Sequence, residues 1–233
     1  MSMLKVVITG TNGFVGQGAL LECLKSPKVE KILSVTRRSL NRSHPKLSEL
    51  VIPDFMALTE NDERLQGYNT CIYCATRKPL SSGSSKAMEE EYRHFTYSLP
   101  LHFAKALGSN KQDLTFIYIS GAGTSLESKA LWAKVKAETE RDLLAMKGEG
   151  LLKAVYNIRP ALIKHSREQE NVSGMQKLYS TFYWISKGFG MANLMEELGK
   201  SFIQLGLNGY EKETLDPKDI TLCSNKYDEL LKN

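Results

Sequence analysis

LKVVITGTNGFVG, residues 4–16, is the stretch on which the fold turns. It opens with a short, Val/Ile-rich run of strand length. Glycines follow at intervals of three, Gly10, Gly13 and Gly16, and then Val15, Ala19 and Cys23 recur every four residues as one stripe of a helix. A glycine brings its backbone close to a phosphate because no Cβ intervenes, and it takes turn geometries other residues resist. The helix start adds free amides and the positive end of the dipole. Strand, glycine turn and helix together predict a seat for a dinucleotide pyrophosphate, built from Gly10, Thr11, Asn12, Gly13, Phe14, Val15 and Gly16. The spacing is G-x-x-G-x-x-G rather than G-x-G-x-x-G, so the reading rests on this context more than on the glycines.

Working outward, strand-like runs recur at 30–35, 49–53, 69–75, 114–120 and 152–158. They are nearly continuous in apolar residues, as strands covered on both faces are in a parallel sheet. Helical patterns separate most of them, including 86–107 and 127–146, with Pro100 expected to bend or split the first. Such alternation predicts an α/β fold, a doubly wound parallel sheet of the dinucleotide-binding Rossmann type. Polar 39–48 and Ser/Gly-rich, flexible 78–86 read as loops. We assign 1–164 to this domain. Residues 165–233, with helices expected near 175–189 and 194–207, a short strand within 213–220 and a terminal helix, read as a small helical cap packed on it and not independent.

The 233 residues carry 42% apolar residues and a formal charge of +5, which excludes disordered and disulfide-scaffold chains. No apolar run reaches bilayer length, the start enters structure without room for a signal peptide, and four cysteines suggest reduced thiols, so a cytoplasmic protein without membrane contact is expected. Cys71 and Cys74 form a C-x-x-C, but on a strand they would face opposite sides and could not easily pair. The charge is too mild for nucleic acid, and the basic loop from Arg37 to Lys46 lacks aromatic platforms and a basic helix. No His/Cys/carboxylate spacing suggests a metal site.

About 20 residues past the glycines, an acid would grip a ribose 2′-hydroxyl. Thr36, Arg37 and Arg38 stand there instead, and guanidinium forks suit a 2′-phosphate. NADP(H) is therefore favoured over NAD(H), against the plainer reading of a solvated basic loop. Arg37, Arg38, Arg42 and Lys46 have no acidic neighbour within 37–48, which makes the loop the address of the positive charge. Asp54 and Phe55 follow the third strand, where a carboxylate and an apolar face could meet the adenine. Ala75, Thr76 and Arg77 end the fourth strand at the expected crevice, Arg77 reading equally as a cofactor contact or a surface charge.

TGTNGFVG, DF after strand three, ISGAG after strand five, VKAETE in the next helix and NIRPALI at strand six occur in that order. Over residues 3–164 the chain thus resembles the short-chain dehydrogenase/reductase superfamily. It looks most like small atypical members of the NAD-dependent epimerase/dehydratase-like kind, and more distantly like the Tat-interacting and NmrA-like groups. The resemblance implies a catalytic serine at Ser120, a ribose-binding lysine at Lys136, and backbone contacts to the nicotinamide carboxamide from Pro160, Ala161 and Leu162. It also implies a tyrosine four residues before the lysine, and that position is Trp132. Indole has a donor but no useful acidity, so the acid/base role does not carry over. Trp132 could stack on a substrate or fill the tyrosine's space.

Two functions follow. One is an NADP(H)-dependent oxidoreductase or epimerase-like enzyme acting on a small molecule, with another group supplying protons. Tyr118 shares a strand face with Ser120, and Tyr179 and Tyr183 lie at helical spacing, although packing is the plainer reading for each. The other is a catalytically silent protein that senses NADP(H) and signals to a regulatory partner.

Overall fold

The computed structural model describes residues 3–60, 62–77, 84–108, 113–170 and 172–232. Seven parallel strands form the main sheet, in the order β3-β2-β1-β4-β5-β6-β9. They are β1 (Leu4–Thr9), β2 (Val29–Thr36), β3 (Leu47–Val51), β4 (Thr70–Tyr73), β5 (Thr115–Ile119), β6 (Ala154–Ile158) and β9 (Thr214–Leu215). A separate parallel pair, β7 (Leu162–Lys164) and β8 (Ala192–Leu194), runs beside it. The chain winds outward from β1 to β3, then returns to place β4 on β1's other edge, so the carboxyl ends of β1 and β4 diverge as a switch-point crevice.

Alternation along β1 sorts the core into two layers. Val6 and Ile8 face one cluster with Ala19 and Leu20 of α1 (Phe14–Lys25), Leu198 and Phe202 of α7 (Met195–Asn208) and Tyr227 of α8 (Pro217–Lys232). Val7 faces the other, with Phe103 of α3 (Leu99–Gly108) and Leu143 of α4 (Leu131–Gly148). Cys71 belongs to the second layer and Cys74 packs against the first, so the C-x-x-C thiols sit on opposite sides as expected. Burial raises the pKa of both. Helices α1 and α7 approach closely because Gly18 and Gly199 present no Cβ; added carbons would overlap Met195 and Glu22.

The segment after Lys164 divides in two. Helices α5 (Gly174–Thr181) and α6 (Tyr183–Gly188) lie with the β7–β8 pair, whereas α7, β9 and α8 complete the main sheet and one helical layer. Most of the 78–86 stretch lies outside the described residues.

Pro100 has the effect expected of it, though upstream of itself. The segment becomes α2 (Lys86–Arg93), a five-residue π-helical turn at His94–Ser98, and α3. Proline lacks the N–H that would reach the carbonyl of Thr96, four residues back. That carbonyl instead accepts from the Tyr118 hydroxyl at 3.2 Å and the Thr139 hydroxyl at 2.9 Å. The Leu99 amide donates five residues back, to His94, which widens the turn.

Candidate functional site

The end of β1 is locked to the end of β4 before any ligand is considered. The Thr9 hydroxyl accepts from the amides of Cys74 and Ala75, both at 3.1 Å. Gly10 follows with φ +69°, where a Cβ would stand 2.7 Å from the Ala75 nitrogen, so glycine is required twice over. A Cβ at Gly16 would overlap the Gly10 carbonyl. Gly13 caps α1 without a side chain, which leaves the first-turn amides open to a ligand. Asn12 ties this turn to the end of β2 by donating to the Thr36 hydroxyl at 3.0 Å and the Arg38 carbonyl at 2.9 Å.

A cavity of about 810 Å³ opens over these strand ends. Of the residues expected to bind a cofactor, it brings together Gly10, Asn12, Gly13, Thr36, Arg37, Arg38, Asp54, Phe55, Ala75, Thr76 and Arg77. The Asp54 carboxylate also caps the next turn by accepting from the Met56 amide at 2.9 Å, and the Phe55 ring is buried against Phe103. Thr11 is not on the wall; its hydroxyl is buried against that of Ser34 at 2.7 Å. Phe14 and Val15 pack against the core. The charge of the basic loop narrows to Arg37 and Arg38. The Lys46 ammonium caps the end of α1 through the carbonyls of Leu24 and Ser26, and Arg42 faces Glu170 at 3.6 Å.

Ser39, Pro53, Tyr73, Cys74, His94, Phe95 and Leu99 complete the wall, and no sequence motif pointed to them. The Tyr73 hydroxyl has no hydrogen-bond partner among the described residues. The Arg77 guanidinium lies 4.2 Å from the centre of the Phe95 ring, that of Arg37 lies 5.8 Å from it, and Arg77 also pairs with Glu91 at 2.6 Å. An open helix start, a close-approach glycine turn and three arginines fit the phosphates of a dinucleotide.

Ser120, Lys136 and Trp132 meet at the end of β5, off the wall of this cavity. The Ser120 hydroxyl donates to the buried Glu140 carboxylate at 2.5 Å and lies 3.2 Å from the Ile158 carbonyl. Arg159 completes that carboxylate's shell through Nε at 2.9 Å and a second contact from Nη2. Glu140 sits four residues past Lys136, on the same face of α4. The Lys136 amine donates to the carbonyls of Ser120 at 2.5 Å and Ile119 at 3.5 Å. Burial lowers its pKa to about 8, against the opposing pull of Glu140. Trp132 is half-buried, its indole set against the turn at Gly121 and Gly123. Pro160 joins this end through its carbonyl, which accepts from the Ala122 amide at 2.9 Å, while Ala161 and Leu162 lead into β7.

None of the tyrosines weighed as a substitute stands free at this point. Tyr118 spends its hydroxyl on Thr96 and is pushed up in pKa by burial. Tyr179 is exposed and Tyr183 buried, because the expected single helix breaks at Phe182 into α5 and α6. Among the described residues, no group of three His, Cys, Asp or Glu side chains is placed to hold a metal.

No protein-family model matches the chain. It is 24% identical over 243 residues to the mitochondrial protein FMP52 of Candida glabrata, covering 100% of this chain and 98% of that protein. The FMP52 of Saccharomyces cerevisiae is also 24% identical, over 89% of each. Leucinostatins biosynthesis cluster protein T of Purpureocillium lilacinum is 28% identical over 185 residues, 70% of this chain and 66% of that protein. The FMP52 relatives are named mitochondrial, which overturns the cytoplasmic expectation. Reduced thiols, on which it leaned, report a redox environment and not an address. No helix among the described residues is long and apolar enough to cross a membrane.

Among solved structures, an oxidoreductase of the short-chain dehydrogenase/reductase family from Burkholderia thailandensis superposes with a TM-score of 0.68 at 12% identity, over 100% of this chain and 99% of that one. The Bordetella bronchiseptica enzyme WbmF, in complex with NAD+, gives 0.66 at 14% identity over 100% and 79%. The carbonyl reductase Sniffer of D. melanogaster gives 0.63 at 13% identity over 93% and 97%. The chain has the fold of the short-chain dehydrogenases/reductases, the superfamily its motifs resemble.

Proposed function

We propose that this chain binds NADP(H) in preference to NAD(H) and works as an oxidoreductase or epimerase-like enzyme on a small molecule. The observation that carries the preference is the placement of Arg37 and Arg38 on the cavity wall at the end of β2, where an acid would otherwise select a free ribose hydroxyl. Asn12 and Thr36 hold the backbone of Arg38, and the open amides of α1 would meet the pyrophosphate. By the resemblance, Lys136 and Ser120 would serve the nicotinamide ribose once released from their present protein partners. The bound cofactor would supply or accept a hydride. Trp132 occupies the place from which a tyrosine would move a proton, so the proton comes from another group or from water. The fold and the charge of the cavity support this reading, and the WbmF complex shows a protein of this fold holding NAD+. Titration with NADPH and NADH tests it: Kd for NADPH should be the lower, and replacing Arg37 and Arg38 with alanine should remove the difference. Tighter binding of NADH would sink the preference.

The second reading is a silent sensor of NADP(H) that signals to a protein partner. Two observations favour it. The Ser120 hydroxyl and the Lys136 amine are engaged by protein groups, and α6 and the residue capping its end expose Trp184, Ile185 and Phe189 at 73%, 67% and 74%. A screen of carbonyl substrates with NADPH separates the two. Turnover lost in Ser120→Ala supports the enzyme, and tight binding without turnover supports the sensor.

A further inference from the structure

Phe95 lies far in sequence from the glycine turn and from the arginine pair, yet both sides of the cavity meet on its ring. It reaches this place through the wide turn at His94–Ser98, which exists because Pro100 cannot donate to Thr96. The half-buried ring has Arg77 at 4.2 Å and Arg37 at 5.8 Å from its centre, both within the range where an aromatic face attracts a cation. Two guanidinium groups drawn to one ring repel each other. Glu91 pairs with Arg77, and among the described residues no ion pair joins a single carboxylate to both arginines.

We infer that Phe95 is the specificity-determining platform of this cavity: it brings Arg77, from the end of β4, and Arg37, from the end of β2, into one binding site for a phosphate monoester on the adenosine ribose. The inference rests on the NADP(H) reading and deepens it. It turns a preference written in two adjacent arginines into a three-element site made by β2, β4 and the π-helical turn. Arg77 becomes a ligand for the phosphate rather than a surface charge. A guanidinium held against a ring loses less freedom on meeting a phosphate than a free one does, so the platform acts chiefly on the charged ligand.

The test is equilibrium titration of NADPH and of NADH into the wild-type protein and into Phe95→Leu, Phe95→Ala and Phe95→Tyr. Leucine keeps an apolar side chain against the neighbouring core and removes the ring, which guards against a simple failure to fold. In Phe95→Leu and Phe95→Ala, Kd for NADPH should rise roughly five- to tenfold, with NADH changing less than about twofold. Phe95→Tyr keeps the π face and should retain the wild-type ratio. A wild-type preference that persists in Phe95→Leu overturns the platform and leaves the NADP(H) reading standing. Equal loss for both nucleotides also overturns it, since Phe95 would then serve the shared adenosine. Equal affinities in the wild type overturn the reading and the platform together.

Discussion

Replacing Lys136 with methionine probes the buried end of β5, where the side chain is 7% exposed and its amine is held by two backbone carbonyls. Burial brings its pKa from an ordinary 10.5 down to about 8. Between those values the unfolded chain holds a proton that the folded chain has released. Wild-type stability therefore rises with pH across this window, and below it the fold carries the full cost of a desolvated ammonium. The gap of about 2.5 units corresponds to about 3 kcal/mol. Methionine has a similar length and cannot titrate. The unfolding free energy of the wild type, relative to Lys136→Met, should thus improve by about 3 kcal/mol from about pH 7 to about pH 10.5. Buried tyrosines also titrate at the alkaline end, but they are common to both proteins and cancel in the difference. Urea unfolding followed by circular dichroism at several pH values measures it. A difference that stays constant with pH would refute the reasoning, because it would mean that the carbonyls and Glu140 fully offset the desolvation.

Gly10→Ala should cost at least about 2 kcal/mol and abolish NADPH binding, since both the positive φ and the approach to Ala75 forbid a side chain. Retention of both stability and binding would remove the close approach as the reason for glycine there. Glu140→Ala should destabilise by about 1–2 kcal/mol, because it removes the ion-pair partner of the part-exposed Arg159 guanidinium and one acceptor of the buried Ser120 hydroxyl. Adding Arg159→Ala should then recover part of the loss, and strict additivity in the double-mutant cycle would argue against a coupled pair.

The fold was largely legible because a parallel sheet covered on both faces writes itself as short, continuous apolar runs. LKVVIT matches β1 residue for residue, and the other five expected runs overlap strands. Boundaries slipped where polar residues took part in the ladder, as at Leu47–Val51, which begins two residues before the expected run. The β7–β8 pair went unseen because three-residue strands carry no period. That the glycine turn and the end of β2 share one cavity was legible from local chemistry, through glycines after a strand and arginines where an acid is usual. Phe95 was not, since its place depends on a turn that Pro100 disturbs from five residues away. Glu140 and Arg159 stand in VKAETE and NIRPALI, yet their pairing joins α4 to the end of β6 and no spacing reports it. The basic loop misled in part for the same reason: Lys46 and Arg42 look free in sequence and meet their partners only in space.

The place of α7 also bears on how the chain is made. It covers α1 and β1, so Val6 and Ile8 leave the ribosome well before Leu198 and Phe202, which close over them. At about 5–20 residues per second, that interval is about 10–40 seconds of synthesis. During it the nascent chain presents an apolar sheet face to its surroundings. The glycine turn after β1 is thus translated long before the helix that seals its sheet from behind.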